Sequence, residues 1–177
     1  RAMDGADGAV ATPHRPARGR SAVEQRREDF RQLKIRFRWT PDELTTGYLL
    51  IPDGGSHHPA VVTVYYEPET AIGLGEPRRD FAYQLVKRGF VALSIGTTDQ
   101  TTAETYALFY PDLQHARIQP LSMLAYAAAN AWHVLAKRPE VDAERIGIVG
   151  HSFGGKWAMF AACLFDRFAC AAWSDPG

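Results

Sequence analysis

Ile146-Gly147-Ile148-Val149-Gly150-His151-Ser152-Phe153-Gly154-Gly155 is the stretch on which the reading of this chain turns. An apolar run suited to a buried strand leads into Gly150, and a helix-compatible stretch begins at Gly155, so Ser152 falls on the turn between strand and helix. The G-x-S-x-G spacing has a steric cause. Glycines on either side relieve crowding at a strained residue and leave its hydroxyl facing outward. A serine so placed is a candidate nucleophile, and it needs a neighbouring base to take its proton. Of the six histidines, His14, His57, His58, His115, His133 and His151, none follows Ser152.

Strands and helices alternate upstream of this turn. Leu33, Ile35, Phe37 and Trp39 alternate with Lys34, Arg36 and Arg38, the period of a half-buried strand. A second strand over Gly47 to Ile51 closes on the turn cluster Pro52-Asp53-Gly54-Gly55. Ala60 to Tyr66 is β-branched and aromatic throughout, as expected of a central strand covered on both faces. A helix is expected over Asp80 to Arg88, with Lys87 and Arg88 in its last turn and Gly89 beyond. Phe90 to Ile95 is the next strand, followed by a polar loop over 97–102. Leu121, Leu124, Ala125, Ala128, Trp132, Leu135 and Ala136 recur at helical spacing between Pro120 and Pro139. Arg145 to Val149 delivers Ser152; the helix after it carries Trp157, Phe160, Ala161 and Leu164 on one stripe, and Phe168 to Trp173 is a last strand. This order predicts an α/β class, a mostly parallel sheet with helices on both faces and an antiparallel edge built from the first two strands.

Composition narrows the function classes. With 177 residues, 46% of them hydrophobic, the chain can bury one sizeable core. Its 20 basic and 20 acidic side chains cancel, which gives no global field to steer nucleic acid or an anionic membrane surface. No run approaches the roughly 18 apolar residues of a membrane span. Residues 1–20 are rich in Gly, Ala, Pro and Arg without apolar periodicity, so 1–30 is expected to be a flexible tail and lead-in, and 31–177 the N-terminal part of a catalytic domain. Cys163 and Cys170 are too few for a disulfide framework and lack metal-ligand spacing, and are expected to be buried small apolar residues.

Around Ser152 the chemistry calls for donors and an acid. The backbone N–H of Phe153, at the helix start, is positioned to receive an oxyanion, and Tyr66, in the loop Tyr65-Tyr66-Glu67-Pro68 after the central strand, is the candidate second donor through its N–H or phenol, with plain packing of an aromatic at a strand end as the competing reading. Asp175 follows an apolar strand adjacent to the nucleophile strand, where a carboxylate can orient a histidine; Asp175-Pro176-Gly177 is also a strong turn sequence, so a turn former is the competing reading. Lys156, one helical turn after Ser152, can hydrogen-bond a substrate hydroxyl, pair with a carboxylate or stay solvated. His151 points away from the nucleophile in this geometry and reads as packing, while His57 and His58 read as a polar loop with no metal site and His115 as a loop residue.

Residues 141–177, from Val-Asp-Ala-Glu-Arg-Ile-Gly-Ile-Val-Gly-His-Ser-Phe-Gly-Gly-Lys to Ala-Ala-Trp-Ser-Asp-Pro-Gly, resemble the α/β-hydrolase superfamily, nearest its glucuronoyl-esterase and acetylxylan-esterase-like branches, which are related to dienelactone hydrolases. Lys156 stands where the glucuronoyl esterases carry a sugar-binding Lys, and Asp175, 175 − 152 = 23 residues after Ser152, stands where they carry an acidic triad member. Phe153 departs from the Arg those esterases usually have after the nucleophile. The resemblance implies a serine-dependent carboxylic ester hydrolase acting through an acyl-enzyme on a small-molecule or polysaccharide ester, with no cofactor, no nucleic-acid partner and no membrane. It also implies a secreted or periplasmic setting. Since that fold supplies its histidine after the nucleophile, the chain reads as its N-terminal portion only, inactive without a C-terminal segment that completes the domain. Dienelactone-hydrolase-like and peptidase-like hydrolases, and a non-catalytic binding protein on the same fold, are the alternatives.

Overall fold

The computed structural model describes residues 23–40, 43–97, 114–115 and 119–177. Seven strands form one sheet: β1 (Val23–Arg27), β2 (Phe30–Arg38), β3 (Leu44–Pro52), β4 (His58–Tyr65), β5 (Val91–Gly96), β6 (Val141–His151) and β7 (Ala171–Ser174), in the order β1-β2-β3-β5-β4-β6-β7. Among the described residues three helices accompany them, α1 (Phe81–Val86), α2 (Pro120–Ala136) and α3 (Phe153–Leu164), with a π-helical turn at Thr70–Leu74.

The sheet is mixed. β5, β4, β6 and β7 run parallel, and β1, β2 and β3 form an antiparallel flank that joins β5 antiparallel as well. The antiparallel region therefore extends one strand beyond the edge expected from sequence. Short connections join β1, β2 and β3 as hairpins, whereas parallel neighbours require crossovers.

The expected lead-in over 1–30 is corrected in its last part, because Val23–Arg27 is a strand paired from Val23↔Lys34 to Arg27↔Phe30. Val-Glu-Gln-Arg-Arg shows no apolar alternation because β1 is an edge strand, held by its ladder and by ion pairs such as Arg26–Asp53 at 2.5 Å. Charged side chains on such an edge also discourage pairing with other chains. Residues 1–22 and 98–102 lie outside the described residues. His58 is not a loop residue but opens β4, its two ring nitrogens 3.0 and 2.9 Å from the carbonyl oxygens of Gly89 and Gly54. Cys163 and Cys170 are exposed, not buried.

Alternation along the central strands sorts the core onto two faces. Val61, Ala92 and Leu50 point toward α1 and the π-helical turn, packing with Ile72, Ala82 and Val86. Val62, Leu93 and Leu49 point the other way, toward α2 and α3. α2 starts where Pro120 fits the first turn and the Gln119 side chain accepts the Leu121 N–H at 2.7 Å. Its buried alanines, Ala125, Ala128 and Ala131, permit close approach, and the Trp157 Nε1–H of α3 donates to the Leu124 carbonyl at 2.6 Å, tying the two helices together. The consequence for function is positional: β6 and β4, central and parallel, end side by side where α3 begins.

Candidate active site

Ser152 occupies φ 54°, ψ −123°, left-handed territory that a non-glycine residue enters only when its surroundings hold it there. Two close approaches show what holds it. A Cβ on Gly150 would run into the carbonyl oxygen of Gly154, and a Cβ on Gly154 would run into the carbonyl oxygen of Val64 at the end of β4. The elbow can therefore fold back against β4 only with glycine at both positions. From the other side the Ser152 N–H donates to the Ser174 carbonyl at 3.0 Å, and the Lys156 N–H donates to the Ser152 carbonyl at 3.2 Å. The Ser152 hydroxyl makes no capping bond to α3, so its oxygen is not committed to the helix.

The partner it meets is Tyr66. The phenol oxygen of Tyr66 lies 3.5 Å from Ser152 Oγ, at the outer limit of hydrogen bonding, from a ring 41% exposed just past the end of β4. That ring stacks on Phe153, centroids 5.3 Å apart at 29°, and meets Tyr65 edge-on at 5.0 Å. Phe153 in turn rests on Trp157, one helical turn along and fully buried. Burial raises the pKa of the Tyr65 hydroxyl, with Arg79 acting in the opposite sense.

The structure brings Ser152, Phe153 and Tyr66 together at the C-terminal ends of β4 and β6. Asp175 follows β7 immediately, exposed and at φ 47°, with no hydrogen bond or ion pair from its carboxylate among the described residues. Its neighbours are drawn against the elbow, since a Cβ on Gly155 would stand 2.8 Å from the Ser174 carbonyl oxygen. Lys156 is half-buried and its ammonium lies along this segment, 3.3 Å from where a Gly177 Cβ would be. His151 is not mere packing: its Nδ1 is 2.8 Å from the Ser174 hydroxyl, and its ring is 6.5 Å from Phe81. Ser174 went unnoticed in the sequence, and only its pairing opposite His151 in β6 and β7 would have pointed to it.

Among the described residues no group of three or more His, Cys, Asp or Glu is placed to hold a metal ion, and no helix is long and apolar enough to cross a membrane. A polar cleft of about 360 Å³ bounded by Trp132, Glu144, Asp166, Arg167 and Phe168 opens at the far end of β6, away from Ser152.

The fold has known counterparts. A putative acetyl xylan esterase from Bacteroides fragilis NCTC 9343 superposes with a TM-score of 0.67 at 19% identity, over 84% of this chain and 46% of that one. A glucuronoyl esterase from Teredinibacter turnerae T7901 gives 0.57 at 19% identity, over 86% of this chain and 43% of that one. An acetyl xylan esterase from Paenibacillus sp. R4 gives 0.57 at 17%, over 87% and 52%. The chain thus spans about half the length of these structures, and likeness at such identity establishes the α/β-hydrolase fold alone. No curated protein matches the chain in sequence. The sequence profile of the dienelactone hydrolase family matches residues 45–174, from β3 through Ser152 to the end of β7, and the chain belongs to that family.

Proposed function

We propose that the protein is a serine-dependent carboxylic ester hydrolase that works through an acyl-enzyme, with a carbohydrate ester as substrate. The observation that carries this reading is Ser152 itself, strained at φ 54° with an uncapped hydroxyl beside Tyr66. In the first step Ser152 Oγ attacks the ester carbon, its proton passes to a base, and the alcohol leaves carrying a proton; water then reverses the sequence and frees the acid. The Phe153 backbone N–H and the Tyr66 phenol or N–H receive the oxyanion. Asp175 orients the base, which this reading assigns to a histidine. Lys156 binds a substrate hydroxyl.

Membership of the dienelactone hydrolase family supports hydrolysis. The names acetyl xylan esterase and glucuronoyl esterase among the structural counterparts support a carbohydrate ester. Phe153 supplies no cation beside Ser152 to assist the oxyanion, which argues against a strict glucuronoyl ester as substrate.

The test is labelling of the full-length protein with a fluorophosphonate, alongside release of acetate from acetylated xylo-oligosaccharides. Labelling and release should both vanish in Ser152→Ala; either one persisting at the wild-type rate would overturn the assignment.

A further inference from the structure

We propose that the stacked side chains of Tyr66 and Phe153 form a subsite for an aryl group of the ester, next to the reacting serine. This rests on the hydrolase reading for its place in a reaction, but not for its physical basis. The two rings are stacked with their planes 29° apart and centroids at 5.3 Å, and the Tyr66 phenol oxygen is 3.5 Å from Ser152 Oγ. A group held against these rings is therefore held against the nucleophile.

The platform is anchored from behind. Phe153 packs on Trp157 at 6.5 Å, Trp157 is fully buried with its indole N–H bound to Leu124, and Tyr65 braces Tyr66 edge-on. Tyr66 nevertheless stays 41% exposed, and Phe153 is only partly covered. A large aromatic surface kept rigid and open beside a reactive group forfeits burial that an aryl partner would restore, with little ordering entropy to overcome.

Charge points the same way. Neither ring of the stacked pair has a cation over its face among the described residues. An aryl ring can therefore extend the stack on the exposed side of this pair.

Binding separates this proposal from catalysis. In the full-length Ser152→Ala protein, which cannot form an acyl-enzyme, 2-naphthyl acetate should bind more tightly than cyclohexyl acetate by calorimetry. Adding Phe153→Leu, which keeps apolar bulk but removes the ring, should reduce that preference by about three- to tenfold, the range of one aromatic pair. Phe153→Tyr should restore it, and unchanged melting curves will show that the variants are folded. Equal affinities, failure to bind either ester, or a preference that survives Phe153→Leu would overturn the subsite. If wild type resists the fluorophosphonate while the aryl preference holds, the hydrolase reading fails and the subsite stands.

Discussion

The imidazole of His151 and the hydroxyl of Ser174 meet at 2.8 Å across the parallel pair β6 and β7, so the residue before the nucleophile is clamped to the residue before Asp175. The same Ser174 accepts the Ser152 N–H through its backbone carbonyl at 3.0 Å. Side chain and main chain of one serine thus tie both halves of the elbow to the strand that presents Asp175. Ser174→Ala removes the side-chain tie and keeps the other. It should cost about 0.5–1.5 kcal/mol. A double-mutant cycle with His151→Ala, read by urea denaturation, should return a coupling of roughly 1 kcal/mol, and additive single effects would dismiss the clamp.

Strain at Ser152 predicts an inverse relation between function and stability. Ser152→Ala keeps a Cβ at φ 54°, while Ser152→Gly removes it. The glycine variant should therefore exceed the alanine variant in stability by about 1–2 kcal/mol, although both lose fluorophosphonate labelling. Equal melting temperatures would mean that the elbow stores no strain.

The glycines give a sharper contrast. Gly150→Ala and Gly154→Ala each drive a methyl into a backbone carbonyl and should cost about 3 kcal/mol or more. Gly54→Ala meets open space, with only its φ of 72° against it, and should cost about 1 kcal/mol. Denaturant midpoints of the three variants decide; a mild Gly154→Ala would show that β4 and α3 can separate.

How far the sequence could be read follows from where each constraint acts. Leu33, Ile35 and Phe37 announce β2 because alternation is a local consequence of the pleat, and Pro120 with its trailing alanines announces α2 for a similar reason. Ser152 was legible because the crowding that demands glycine lies within a few residues of it. β1 was not, since Val-Glu-Gln-Arg-Arg is stabilised by its partner's backbone rather than by an apolar face of its own. The antiparallel union of β3 with β5 depends on strands far apart in sequence, and no local pattern encodes it. The hydrogen bond of His151 to Ser174 was not legible for the same cause: that partner is fixed by the register of β6 against β7. The exposure of Cys163 and Cys170 depends likewise on what covers α3 and the approach to β7.

Tyr48 offers a pH-dependent check on the face opposite α2. Burial, with the Glu69 hydrogen bond at 2.7 Å and its charge adding, pushes its hydroxyl from 10 up to about 12. The folded state thus holds this proton more tightly than the unfolded state. The resulting stabilisation is complete below pH 10 and is lost as the pH climbs toward 12. Two units correspond to about 2–3 kcal/mol. Urea midpoints of wild type should fall more steeply than those of Tyr48→Phe between pH 10 and 11.5. Parallel declines would assign the alkaline loss to other groups.

Asp175 separates an orienting acid from a turn former. Its φ of 47° suits Asp and Asn alike, so Asp175→Asn leaves the backbone undisturbed and removes only the charge. If the carboxylate orients the base that deprotonates Ser152, kcat in the full-length protein should fall by orders of magnitude, about 10⁴ in the best-characterised triad, with KM nearly unchanged. Asp175→Ala would confound this by placing a residue less tolerant of positive φ in the turn. A loss below tenfold in Asp175→Asn, with an unaltered melting temperature, would return Asp175 to the turn and move the acid elsewhere.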